Sequence, residues 1–206
     1  GYLGNYAKQF NNAVEVLPST VDMVNVHHLV KKYDQEVEQI KIGWTGSHTT
    51  AAKYLPQVID IINELSEKHL IEFIVISNQE PDLEISNLHY IPWRRATEIE
   101  DLIKFDIGIM PIGEEEWEKG KCSFKAIQYM ALGIPVVLSP YGNNLEVVED
   151  GKSGLFAESK ADWINALEKL ILDVKLRKKL SKAGREKIKS DYSLKSQEGK
   201  YNKILI

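Results

Sequence analysis

The sequence predicts an α/β protein: a parallel sheet with helices on both faces and a helical C-terminal extension. Three observations carry this. Short apolar runs alternate with amphipathic stretches along the chain, as in parallel sheets covered on both sides. Apolar residues make up 43% and charged residues 27%, which is ordinary globular composition rather than disorder or a fibre. The length, 206 residues, suits one large domain with appendages.

Six strands are expected: Ile40–Thr45, Glu72–Ser77, Leu88–Ile91, Asp106–Ile112, Ile134–Ser139 and Gly154–Ala157, with Val14–Leu17 leading in. Between the first two, Val58, Ile59, Ile62 and Leu65 share one helical face over residues 55–68. A proline inside a helix costs about 3 kcal/mol and is free at its first position, so Pro56 marks the first turn and residues 46–54 are expected to be loop. Ile99, Leu102 and Ile103 form a second helix face within residues 96–105, and residues 123–132 form a third helix that Gly133 ends in the left-handed conformation. A short helix is expected at residues 145–149. From Lys160 onward the chain reads as helical, with a final segment from Ser193 whose Leu194, Tyr201, Ile204, Leu205 and Ile206 are expected to pack poorly.

Composition excludes several classes of function. Lys plus Arg number 26 against 30 for Asp plus Glu, so the net charge of −4 gives no bulk attraction to nucleic acid and any anion site must be local. The single cysteine, Cys122, allows no internal disulfide framework and points to a reducing, cytoplasmic compartment. No two-His metal spacing occurs, and the start lacks the basic-then-apolar pattern of a signal peptide. Glu114, Glu115, Glu116 and Glu118 invite a metal reading. Hard cations need oxygens converging from several segments, however, so no metal site is assigned.

In open parallel sheets the ligand lies beyond the carboxyl ends of the strands. Gly46-Ser47-His48-Thr49-Thr50 follows the first strand and can bring backbone N–H groups to an anion; an ordinary connector is the competing reading. Residues 113–121 (GEEEWEKGK) follow the fourth strand. There Gly120 permits close backbone approach, the N–H groups of Cys122, Ser123 and Phe124 are expected to open the next helix, and Lys121 and Lys125 add positive charge. Lysines at a helix start oppose the macrodipole, at a cost of a few tenths of a kcal/mol, unless an anion offsets it. Lys121, Lys125 and Gln128 are spaced to share one helical stripe, in the order phosphates then ribose. Residues 139–144 (SPYGNN) offer further donors or a plain turn, and Trp93, after Pro92, is either near a nucleotide base or a core anchor.

Residues 120–139, GKCSFKAIQYMALGIPVVLS, resemble the donor-binding domain of glycosyltransferase family 4 (glycosyl transferases group 1). The continuation, SPYGNNLEVVEDGKSGLFA and later DVKLRKKLSKAGREKIKSDYSL, is similar to that family's chain end in order and spacing. Gly43-Trp44-Thr45-Gly46-Ser47 with Thr50 and Lys53-Tyr54-Leu55 resembles the loop after the first strand in one branch. The resemblance implies a Rossmann-like domain that is one half of a GT-B fold. Residues 1–16 would lead out of a missing N-terminal acceptor domain, residues 17–190 would bind the nucleotide sugar, and residues 191–206 would cross back.

It also implies a retaining hexosyl transfer from a nucleoside diphosphate sugar, UDP- or GDP-linked, to an acceptor glycan or lipid-linked sugar in cell-envelope synthesis, with no cofactor. The family's paired glutamates fall on Gly120 and Gln128, both departures. Gln128 can still accept from a ribose hydroxyl, through a bond worth roughly half a charged one. A sugar contact would then come from Glu118 or Glu116. Ser47 stands at the position of a phosphate-binding arginine, and Lys53 lies within a residue of the lysine position; Lys121 and Lys125 can supply that charge. The basic run Lys175, Arg177, Lys178, Lys179, Lys182, Arg185, Lys187 and Lys189 is first a solvated helix face and second a contact for an anionic membrane surface, peripheral at its inner face. An epimerase-like half and a non-catalytic nucleotide- or partner-binding module are the rival readings, and the chain alone is expected to be inactive.

Overall fold

The computed structural model describes residues 1–34 and 37–205, with only the backbone of Leu205. Six parallel strands form one open sheet: β1 (Ile40–Thr45), β2 (Ile71–Ser77), β3 (Leu88–Pro92), β4 (Ile107–Met110), β5 (Val136–Leu138) and β6 (Leu155–Phe156). Their order is β3-β2-β1-β4-β5-β6, so the chain winds outward from β1 in one direction and then from β4 in the other. The switch between β1 and β4 opens a crevice at the carboxyl ends of these two strands.

The helices are α1 (Tyr2–Ala7), α2 (His48–Tyr54), α3 (Pro56–Lys68), α4 (Glu98–Leu102), α5 (Glu116–Lys119), α6 (Phe124–Ala131), α7 (Asn144–Val147), α8 (Lys160–Leu172), α9 (Val174–Asp191) and α10 (Leu194–Leu205). One face of the sheet packs on Val58, Ile61, Ile62 and Leu65 of α3 and on Trp163, Leu167 and Leu170 of α8. The other packs on Leu102 of α4, Ile127, Tyr129 and Met130 of α6, and Ile188 of α9. Gly43 and Gly108 lie inside adjacent strands because a β-carbon there would meet the rings of Phe105 and Tyr129, at 2.1 Å and 2.5 Å. Those rings lie on the sheet and meet edge to face, with centroids 5.8 Å apart.

Three expectations are corrected. Residues 46–54 are not a loop: Ser47 caps α2 by accepting from the Thr50 N–H, and Ala51 and Tyr54 turn into the core. Pro56 does start a helix, but a second helix precedes it, broken at Leu55 because proline has no N–H to continue the ladder. Val14–Leu17 lies outside the sheet, without a strand partner among the described residues. The fourth and fifth strands are also shorter than expected. Ser139 Oγ instead accepts from the Ile112 N–H at 3.1 Å, just beyond their ends.

Gly133 takes the left-handed conformation at φ 71° and ends α6. The basic helix α9 is less free than its composition suggests. Arg177 is buried, donating through Nη1 to the Ile171 carbonyl at 2.9 Å at the end of α8, and Arg185 donates to the Ala131 carbonyl. In α10, Leu194 and Ile204 are exposed and Tyr201 is half-buried, while the side chain of Leu205 and all of Ile206 lie outside the described residues. Among the described residues no helix is long and apolar enough to cross a membrane.

The Tyr129 hydroxyl accepts from the Thr45 N–H at 2.9 Å, at the buried end of β1. Tyr129→Phe leaves that amide without a partner, and the expected loss is about 1–3 kcal/mol of unfolding free energy, measured by urea titration. An unchanged midpoint and slope would show that the bond contributes nothing.

Candidate functional site

Three segments meet at the crevice. After β1, Gly46 has no side chain because a β-carbon would lie 2.5 Å from the Trp44 ring and 2.9 Å from Lys125 Cε. The Lys125 stem therefore lies across the backbone at Gly46, with its ammonium 5.2 Å from the Trp44 ring centroid. Burial pushes the Lys125 ammonium down to about 8, and the neighbouring charge of Lys121 pushes the same way. Lys121 is lowered too, first by burial. Its Nζ sits 4.0 Å from the Tyr54 ring centroid and donates to the Tyr54 hydroxyl at 2.5 Å.

Lys121 does not share a helical stripe with Lys125 and Gln128. It precedes α6, separated from it by Ser123, whose backbone is left-handed at φ 58°. The helix therefore opens one to two residues later than expected, and its free first-turn N–H groups are those of Phe124, Lys125 and Ala126. Ser123 makes no side-chain cap to them. Its hydroxyl instead donates to Asn144 Oδ1 at 2.7 Å, and Asn144 Nδ2 donates to the Ser139 carbonyl at 2.8 Å. Asn144 is fully buried, so this pair ties the start of α6 to the segment after β5. Asn143 adds a bond from Nδ2 to the Cys122 carbonyl at 3.0 Å.

Lys53 faces the acidic loop rather than the free lysines. Its Nζ lies 2.7 Å from Glu118 Oε1 and 2.9 Å from Glu115 Oε2. Hydrogen bonds to Glu118 and then Glu115 hold it above the ordinary lysine range. Glu118 is fully buried and also accepts from the Tyr54 hydroxyl, while its Oε2 has no partner. Burial opposes its charge, but the bonds from Lys53 and Tyr54 outweigh it and hold the carboxyl below its usual range. Burial and the bond to Glu118 raise Tyr54 to about 12. Glu116 lies on the surface, bonded to Tyr2 and to Lys119.

At the outer side of the crevice Trp93 is half-exposed, next to exposed Pro92. Its Nε1 donates to Glu98 Oε1 at 3.1 Å, and Gln128 Nε2 donates to the same oxygen at 3.3 Å. Gln128 is itself buried. Ser47 is exposed and serves as the α2 cap. Cys122 and Phe124 are exposed beside the lysines. A cavity of about 790 Å³ adjoins this cluster, lined by Leu3, Gly120, Lys121, Cys122, Tyr141 and Tyr192 but not by Lys125 or Gln128. Among the described residues no group of three or more His, Cys, Asp or Glu converges as a metal site would require.

The crevice thus brings Gly46, Lys121, Ser123, Phe124, Lys125 and Gln128 to one end of the sheet. Lys53 pairs instead with Glu115 and Glu118, a cluster that the Tyr54 hydroxyl joins to Lys121, and Glu116 bonds on the surface to Tyr2 and Lys119. Sequence reasoning missed Tyr54, Asn144 and Glu98. Tyr54 was hidden by the expected loop, and Asn144 lay in a segment read for its backbone donors. Glu98 carried no sequence signal, being one acid among several at the start of a helix.

Comparison with known proteins places this arrangement. The overall fold is similar to sucrose-phosphate synthase from Thermosynechococcus elongatus, at TM-score 0.73 and 13% identity, covering 99% of this chain and 56% of that one. It is similar to a glycosyltransferase from Rickettsia africae, at TM-score 0.72 and 16% identity, covering 98% and 61%. It is also similar to HepE from Anabaena in complex with UDP and glucose, at TM-score 0.66 and 14% identity, covering 82% and 48%. The chain therefore spans about half to three fifths of the lengths of these structures. No curated protein sequence matches it significantly. The sequence model described as glycosyl transferases group 1 matches residues 39–173, from the start of β1 to the end of α8 and well over half of the chain. This chain belongs to the glycosyl transferases group 1 family.

Proposed function

We propose that this chain is the C-terminal, donor-binding half of a retaining GT-B enzyme of glycosyltransferase family 4. The enzyme moves a sugar from a nucleoside diphosphate sugar to an acceptor hydroxyl in glycan or glycolipid synthesis. The observation that carries the reading is the pair of partly buried lysines, Lys121 and Lys125, held beside the uncapped start of α6. Two cations lowered first by burial, Lys125 also by the charge of Lys121, next to free N–H groups, are stabilised by an anion. A diphosphate fits that need and would be neutralised as it leaves the sugar. The complex of HepE with UDP and glucose supports a nucleotide-sugar donor.

In this reading the diphosphate lies on Lys125 and the N–H groups of Phe124 and Lys125, the ribose lies near Gln128, and the base lies toward Trp93. The sugar points into the cavity beside Gly120, where Lys121 lines the wall. The acceptor is held by a domain outside this chain, so the chain alone binds nucleotide without turning it over. The exposed lysines of α9 are the surface proposed to meet an anionic membrane.

Lys125→Ala should weaken UDP or GDP binding by about 1.5–3 kcal/mol, for a lost charge-assisted bond, and Gln128→Ala by about 0.5–1.5 kcal/mol. Calorimetric titration checks both, with melting curves to show that the variants fold. Wild-type affinity in both would move the site elsewhere and favour a partner-binding module.

The depressed ammonium gives a second test. Bound diphosphate favours protonated Lys125, so its level of about 8 in the free protein should rise on binding. Affinity is then full below about pH 8 and falls as pH rises toward about 10, because binding must take up a proton. Lys121, lowered as well, acts with the same sign. Titrations in buffers of different ionisation enthalpy should show proton uptake near pH 8.5 or so, up to about one proton per site, and Lys125→Met should reduce it. Binding without proton uptake would separate Lys125 from the phosphates.

A further inference from the structure

Glu98 is an acid bonded to Trp93 and Gln128 in the crevice, and nothing in the reading above uses it. It opens α4, while its two partners come from elsewhere: Trp93 from the end of β3 and Gln128 from α6. Both partners are neutral donors and both bond to Oε1, at 3.1 Å and 3.3 Å. The carboxylate is therefore oriented without being neutralised, and among the described residues it forms no ion pair. Its Oε2 accepts from no described residue, and neither does the carbonyl oxygen of Gln128. Two acceptors thus stand side by side, one anionic and one neutral, in a fixed mutual orientation.

That pair suits a ligand group with two adjacent hydroxyl donors and repels a phosphate. Its position agrees. Gln128 lies three residues beyond Lys125 on α6, about 4.5 Å along the helix axis, which separates a diol from a phosphate by roughly one helical turn. Trp93, half-exposed on the far side of Glu98, offers a flat face to a base. We infer that Glu98 supplies the carboxylate that reads the ribose hydroxyls of the bound nucleotide, making this site selective for ribonucleotides over 2′-deoxyribonucleotides. The inference rests on the nucleotide-binding reading above.

The test compares UDP, GDP and ADP with their 2′-deoxy counterparts by calorimetry, on wild-type chain, Glu98→Gln and the double variant Glu98→Gln with Gln128→Glu. Wild type should prefer the ribonucleotide by about tenfold or more. Glu98→Gln should cut that preference below about threefold. The double variant, with the carboxylate moved to α6, should recover much of the preference. The ratio is taken within each protein, so a general loss of stability cancels. Glu98→Gln with the wild-type preference, or with ribo and deoxy forms weakened equally, overturns the inference. So does a wild type that binds nucleotide, is weakened by Lys125→Ala and shows no ribose preference, leaving the nucleotide reading intact. A wild type that binds none of the three nucleotides overturns both.

Discussion

The hydroxyl of Ser123 donates to Asn144 rather than capping α6, and the chemistry of the crevice depends on that choice. A left-handed serine costs about 1–2 kcal/mol relative to a relaxed backbone. The bond to a fully buried Asn144, itself fixed to the Ser139 carbonyl, offsets that cost. The result is a helix of eight residues whose first N–H groups meet no side chain of their own cap. The same network joins the segments after β4 and β5, tying the start of α6 to the strand ends. The strained backbone also turns Lys121 away from the helix and over the Tyr54 ring, while Lys125 lies over Trp44.

Charge in the crevice is sorted by burial. Glu118 and Glu115 are held by Lys53, which leaves the acidic loop paired within itself and with α2. Among the described residues Lys121 and Lys125 form no ion pair, and burial lowers both, although Glu118, which shares the Tyr54 hydroxyl with Lys121, partly opposes the shift there. This contrast separates a lysine used for structure from lysines available to a ligand. Against a net charge of −4 the attraction is local, fitting a small anion rather than a polyanion.

Much of the fold was legible in the sequence, because the six strands are short, largely apolar runs and parallel sheets bury both faces. The order of the segments facing the crevice followed from that. What escaped has a physical reason in each case. Helix α2 depends on a Ser47 cap and two buried side chains, whereas its sequence, rich in threonine with a proline after it, has weak helical preference. The stripe of Lys121, Lys125 and Gln128 assumed an unbroken helix, and a single left-handed serine broke it, a conformation no sequence pattern announces. Lys125 and Gln128 kept their places because they lie beyond the break. Glu98 meets Gln128 only through tertiary packing of α4 on α6, so spacing along the chain gave no sign of it.

The central claim is that the opened start of α6, with Lys125 across Gly46, holds the diphosphate of a nucleotide. A crystal structure of the chain with UDP or GDP at saturating concentration tests it most directly. Phosphate oxygens are expected within about 3 Å of Lys125 Nζ and of the Phe124 and Lys125 N–H groups, with the Ser123–Asn144 bond intact. A nucleotide ordered elsewhere, with those N–H groups facing only water, would contradict it.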